Sequence, residues 1–182
     1  YIGPETSPPD LREHWYGDRP LLSGLGGDWT GAIVPHPGTI PAEFDDRGET
    51  CLEVTAPNDQ TVAVGQHVYY QYQSEGEGQW YSQLHPGASY RASVWLRQEG
   101  LGNNGDVRFV FKQEANYEAA SQTTPWNVTG EWQQYTYDFA GPDYPGDHQW
   151  HIAHGLEFRG PGTLWIDNFV LYRNDAKHDF EP

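Results

Sequence analysis

Apolar residues recur at every second position in short runs separated by Gly, Pro and Asn, and that period predicts strands rather than helices. Eight such runs follow one another. The first lies near Gly31 to Pro35. The second, Thr50 to Ala56, sets Leu52 and Val54 against Cys51 and Glu53. In the third, Gln66 to Ser74, Val68, Tyr70 and Tyr72 alternate with His67, Tyr69, Gln71 and Gln73. The fourth, Ser89 to Gln98, sets Tyr90, Ala92, Val94 and Leu96 against Arg91, Ser93, Trp95 and Arg97. In the fifth, Asp106 to Gln113, Val107, Phe109 and Phe111 oppose Arg108, Val110 and Lys112. The sixth, Glu131 to Phe139, puts Tyr135, Tyr137 and Phe139 on one face. The seventh, Trp150 to Arg159, sets Ile152, Leu156 and Phe158 against Glu157 and Arg159. The last, Thr163 to Arg173, contains Leu164, Ile166 and Phe169. Only Asn116 to Ser121 is read as a short helical turn. The pattern predicts an all-β chain folded as a two-sheet antiparallel β-sandwich. Several strands carry large side chains on both faces, so one sheet is expected to have a working outer surface.

Domain organisation follows from where the pattern stops. Residues 1–25 hold Pro4, Pro8, Pro9 and Pro20 without periodicity and read as an extended arm. Residues 26–174 form the sandwich domain, and the polar residues 175–182 read as a tail or linker. A chain of 182 residues is long enough to bury one ordinary core. It begins at Tyr1 without a methionine, which is read as a mature or excised piece of a larger protein. The 21 Gly and 14 Pro are scattered as turn punctuation and form no repeat.

A net charge of −16 opposes general nucleic-acid binding, which needs a positive field to displace counterions. No apolar run approaches the roughly 20 residues that span a bilayer. The single Cys51 excludes an intrachain disulfide and is expected as a buried or half-buried strand residue. Asn127-Val128-Thr129 matches the glycosylation triplet, a pattern common by chance.

Three motifs stand in a telling order. Leu84-His85-Pro86-Gly87-Ala88-Ser89-Tyr90 leads into Ala92-Ser93-Val94-Trp95-Leu96-Arg97. Glu131-Trp132 opens a Tyr-rich strand, and Leu164-Trp165-Ile166-Asp167-Asn168-Phe169 closes the series. Together they resemble the jelly-roll carbohydrate-binding modules of families four, nine and twenty-two, over roughly residues 26–174. The Asn-rich opening of those modules, ending in Phe-Glu, has no clean counterpart here. The resemblance implies a jelly roll with a concave face as ligand groove, and a non-catalytic module that binds polysaccharide. It implies a catalytic domain in the same polypeptide, a secreted polysaccharide-degrading enzyme. It also implies a calcium ion on the rim, held partly by Asp167, and polar ligand contacts from Glu157 and Arg159.

Alternate strands of a jelly roll fall into opposite sheets. Applied by analogy, that puts the second, fourth, fifth and seventh runs in one sheet. Its outward positions are then Glu53, Arg91, Trp95, Arg97, Arg108, Lys112, Glu157 and Arg159. Half of the ten Lys and Arg would gather on this face, which points to an acidic polysaccharide. Guanidinium groups bind carboxylate or sulfate in a bidentate fork, and Trp95 would stack on a sugar ring. Cross-strand pairing of arginine with Glu53 and Glu157 is the plainer reading of the same charges, and a neutral glycan is a third. Trp80 and Trp126 fall between strands, where they line a groove or cap the sandwich ends. Trp132 reads as core, and Trp29 is undecided. His151 and His154 point to opposite faces of a strand, which opposes a zinc site.

Two other function classes stay open. Jelly-roll polysaccharide lyases use Tyr or His as base with Arg or Gln on the carboxylate, and Tyr69, His67 and Gln71 supply those types; the third run, however, is assigned to the sheet opposite the arginines. A glycosidase needs two carboxylates about 5 to 9.5 Å apart, for which Glu53 and Glu157 are the candidates. No G-x-S-x-G nucleophile motif occurs. A structural or protein-docking sandwich is the remaining class.

Overall fold

In a computed structural model of the chain, the described residues are 28–44, 49–70, 87–113, 117–118, 121–141 and 150–174. The arm 1–25 and the tail 175–182 lie outside them, as do Trp80 and Gln71. Ten strands are described: β1 Thr30–Pro35, β2 Thr50–Ala56, β3 Thr61–Tyr70, β4 Ser89–Glu99, β5 Asp106–Gln113, β6 Tyr117–Glu118, β7 Trp126–Asn127, β8 Gln133–Ala140, β9 Trp150–Arg159 and β10 Gly162–Arg173. The only helical element among the described residues is a 3-10 turn, Asn103–Gly105. Within the expected turn at 116–121, Tyr117–Glu118 instead pairs with Lys112 and Gln113 as a strand, a correction to the helical reading.

The strands form two antiparallel sheets. The first runs β1-β2-β10-β4-β8 and the second β3-β9-β5-β6, with β7 also on β5. The chain is therefore the all-β, two-sheet β-sandwich that the alternation predicts.

Between the sheets, one face of each strand supplies the core. Val54, Ala92, Val94, Leu96, Leu164 and Ile166 come from the first sheet, and Val62, Val64, Val107, Phe109, Leu156 and Phe158 from the second. Burying a Leu, Ile, Val or Phe side chain is worth roughly 1.5–3 kcal/mol, so this cluster dominates the fold's stability. Phe109 stacks against Phe139 and Phe169 from the opposite sheet, at 5.2 and 6.2 Å between centroids.

A second apolar cluster lies on the other face of the first sheet. Cys51, Trp95, Trp132 and Trp165 pack there under Phe44. The link between β1 and β2 folds back over the sheet to make this possible. Phe44 stacks 4.7 Å from Trp95 and 5.6 Å from Trp132, and the Trp132 indole N–H donates to the Pro37 carbonyl at 2.9 Å. His36 completes the strap with edge-on contacts to Phe44 and Trp132. The first sheet thus has apolar packing on both sides around Trp95 and Trp165.

The sheet assignment made from alternation needs correction. Strands β2 and β4 belong to the first sheet, whereas β5 and β9 belong to the second. The chain changes sheet between Glu99 and Asp106, through the 3-10 turn, so consecutive strands β4 and β5 cannot share a face. Asn104 and Gly105 take positive φ there (59° and 82°), and a Cβ on Gly105 would meet the Val128 carbonyl at 2.4 Å. That close approach requires glycine.

Candidate functional site

Strands β5 and β9 bring Arg108 and Glu157 into register, with Ala63 of β3 completing the row. Val107, Phe109, Leu156 and Phe158 point into the core, so the intervening residues Arg108 and Glu157 face outward by the period of two. Arg108 Nε donates to Glu157 Oε1 at 2.7 Å, and its Nη2 lies 2.6 Å from the same oxygen. The pair is half-sheltered, with 28% and 11% of the two side chains exposed.

One step along β9, Arg159 pairs with Asp59 through Nε at 2.5 Å and Nη2 at 3.2 Å. Asp59 lies in the turn between β2 and β3, and Thr61, the first residue of β3, is in register with Arg159. The adjoining guanidinium, by hydrogen bond and charge, holds the Asp59 carboxyl below its ordinary value, and Asp59 raises that of Arg159.

These residues border a pocket of about 130 Å³, lined by Thr61, Asn103, Asp106, Arg108, Glu157 and Arg159, with Pro125 and Phe158. The lining offers guanidinium and amide donors, two carboxylates and a hydroxyl within one small hollow. Convergent donors and acceptors of this kind suit a hydroxyl-rich ligand. Asp59, Thr61, Asn103 and Asp106 were not singled out from the sequence. The Asn-Asp and Asn-Asn-Gly turn signals around them mark loops, and nothing in a loop's composition says which side chain meets which strand.

The remaining predicted residues are placed elsewhere. Arg91 and Arg97 stand on the outer face of the first sheet, on the far side of the sandwich from Arg108 and Arg159. The expected convergence of all four arginines does not occur, because β4 and β5 lie in different sheets. Arg91 forms a bidentate pair with Asp138 at 2.6 and 2.7 Å. Trp95 is 6% exposed under Phe44, so it is a packed residue and not an open stacking platform. Glu53 accepts the Trp165 indole N–H at 2.9 Å and pairs with no predicted arginine. Trp126 is half-buried on β7, its N–H donating to the Thr136 carbonyl at 3.3 Å and its ring 5.5 Å from Tyr135. It spans from the second sheet to β8 of the first. Lys112 is in register with Ala153, and its side chain, like those of His67 and Tyr69, lies outside the described residues. Strand β3 shares a sheet with Arg108 and Arg159, which corrects its assignment to the opposite sheet.

Asp167 sits at a β-bulge in β10, where the register with β4 shifts between Asp167 and Val170. Its Oδ1 accepts the Asn168 backbone N–H at 2.7 Å, in a residue with φ of 47°, and its Oδ2 lies 2.7 Å from His36 Nε2. Calcium takes six to eight oxygen ligands. Among the described residues no three His, Cys, Asp or Glu side chains gather as a metal site. The carboxylate ties the strap to the bulge.

The chain matches no known family description and no curated protein. Similar folds occur among solved structures. The Stig cyclase Fisc from Fischerella sp. TAU is 13% identical, with a TM-score of 0.51 over 82% of this chain and 76% of that one. A family-four carbohydrate-binding module is 13% identical, with a TM-score of 0.48 over 86% and 96% of the two chains. The Clostridium thermocellum xylanase 10B, comprising a family-22 module and a catalytic module, is 19% identical with a TM-score of 0.46, over 84% of this chain and 26% of that one. At such identities the likeness extends to the sandwich fold alone.

Proposed function

We propose that this chain is a non-catalytic carbohydrate-binding domain, holding a polysaccharide against the outer face of the second sheet. The observation that carries this reading is the Arg108–Glu157 pair set in a pocket with Thr61, Asn103, Asp106 and Arg159. Sugar hydroxyls donate and accept at once, and a lining of fixed donors beside fixed acceptors meets both demands. The ordered motifs from Leu84 to Phe169, which resemble carbohydrate-binding modules, support it independently. On the same reading the domain belongs to a larger, secreted polysaccharide-degrading enzyme and brings its catalytic domain to the substrate.

The pocket itself favours hydroxyls over acidic groups. Both of its arginines already face a carboxylate, and Asp106 adds another negative charge. A polysaccharide array with neutral and acidic polymers tests the function. Asp106→Ala and Thr61→Ala should weaken retention of any polymer that binds; unchanged retention in both would place the site elsewhere.

A lyase is the second reading, favoured by one observation. Backbone pairing puts His67 and Tyr69 of β3 opposite Ala153 and His151 of β9, in the sheet that carries Arg108 and Arg159. Steady release of unsaturated products from a uronic-acid polymer, followed by ultraviolet absorbance, would replace the binding-domain reading with this one.

A further inference from the structure

On the outer face of the first sheet, one guanidinium meets no carboxylate among the described residues. Arg97 of β4 is half-buried, and its Cζ lies 5.7 Å from the centroid of the Trp165 ring. Its Nε is buried and has no hydrogen-bond partner. Against it lies the bare backbone of Gly38: a Cβ there would stand 2.0 Å from Nη1 and 2.8 Å from Cζ. Gly38 is itself exposed, so the guanidinium sits one residue beneath the surface.

The neighbouring acids do not meet it. Glu53 is two strands away across Trp165 and takes the indole N–H. Glu99, two residues along β4 and on the same face, is exposed. Arg91, Arg108 and Arg159, by contrast, each have a carboxylate at 2.5–2.6 Å. A sheltered charged donor without an acceptor is costly, and the indole face offsets only part of that. The missing partner is a planar oxyanion matching the guanidinium fork.

We propose that Arg97 is an anion-recognition site for the carboxylate of a uronic acid residue, on the face of the domain opposite the Arg108–Glu157 pocket. The proposal rests on the carbohydrate-binding reading and adds a charged sugar to it. The missing side chain of Gly38 makes room for the guanidinium itself, Trp165 supports it, and the sugar carboxylate accepts from its terminal nitrogens.

The test is a titration of the full chain with sodium glucuronate, at ionic strength held constant with sodium chloride and with glucose as the neutral control. The readout is the NMR signal of the Trp165 indole N–H, assigned by its loss in Trp165→Phe. Glucuronate should shift that signal saturably and glucose should not. Arg97→Gln should weaken glucuronate binding about tenfold or more. A signal that glucuronate leaves unmoved, or moves equally in Arg97→Gln, overturns the proposal. If Arg97→Gln does not fold, Glu99→Gln serves instead: removing the nearby negative charge should tighten binding, and unchanged affinity overturns the proposal. The array distinguishes the two sites. Response of Trp165 without retention by neutral polymers leaves this site and removes the pocket; the reverse pattern removes this site alone.

Discussion

Glu157 holds both the Nε and the Nη2 of Arg108 on one carboxylate oxygen, across the β5–β9 ladder. This pair stabilises the middle of the second sheet and shapes the pocket at once. Truncating one partner leaves the other charged, sheltered and without its principal contact. Glu157→Ala should therefore cost about 2 kcal/mol, between the values for exposed and fully buried pairs. Urea unfolding of the two single variants and of Arg108→Ala/Glu157→Ala measures it. The double variant should lose less than the sum of the singles.

Trp95 gives the sharpest contrast between a binding and a packing role. Trp95→Ala removes a ring in direct contact with Phe44 and should destabilise the domain by about 3–5 kcal/mol. Gel retardation on a bound polymer, run well below the variant's melting temperature, should be unchanged. Loss of retention with stability intact would restore Trp95 as a sugar contact.

Acid should weaken the Arg91–Asp138 contact. Arg91 holds the Asp138 carboxyl below its ordinary value of 3.8 by hydrogen bond and charge, with Asn174 also lowering it. A carboxyl lowered on folding contributes stability above its unfolded value and loses it as pH falls through the folded one. Wild type should melt slightly higher than Asp138→Asn at neutral pH, and the gap should close below 3.8. Both side chains are about half exposed, so the effect is small and shrinks with salt. A gap that widens in acid would contradict this.

Gly155 of β9 lies opposite Gly65 of β3, and a Cβ on it would meet the Val64 carbonyl at 2.1 Å and the Gly65 Cα at 2.7 Å. Both obstacles are backbone. Gly155→Ala should cost about 1–3 kcal/mol by forcing the two strands apart. Thermal melting reads the loss, and a neutral substitution would mean that the ladder opens freely there.

Strand positions were legible because burial on one face leaves a period of two. Thr50–Ala56, Asp106–Gln113 and Trp150–Arg159 have the predicted bounds. The start of β3 extends further than expected, to Thr61, where Val62 and Val64 keep the period of two and are buried in the core. Partnership was not legible at all. Alternation separates the two faces of a strand but is silent on which strands lie beside it, so Arg97 and Arg108 are expected on one face and stand in different sheets. Nor did it show what covers the outward face: Trp95 looked exposed because Phe44, its cover, comes from a Pro-rich link with no periodicity. Glu157 and Arg159 were nonetheless brought to the pocket from their place in the strand before the Ile-Asp motif.

The strap from His36 to Phe44 has a spectroscopic consequence. Trp95, Trp132 and Trp165 sit together beneath it, on the side away from Arg108 and Glu157. Their shielded rings should emit at short wavelength and respond to whether the β1–β2 link is docked, while sugar seated on the second sheet leaves them dark to the event. The short-wavelength part of the emission would then gauge that link, whereas Trp126, next to the pocket-lining Pro125, lies outside the cluster.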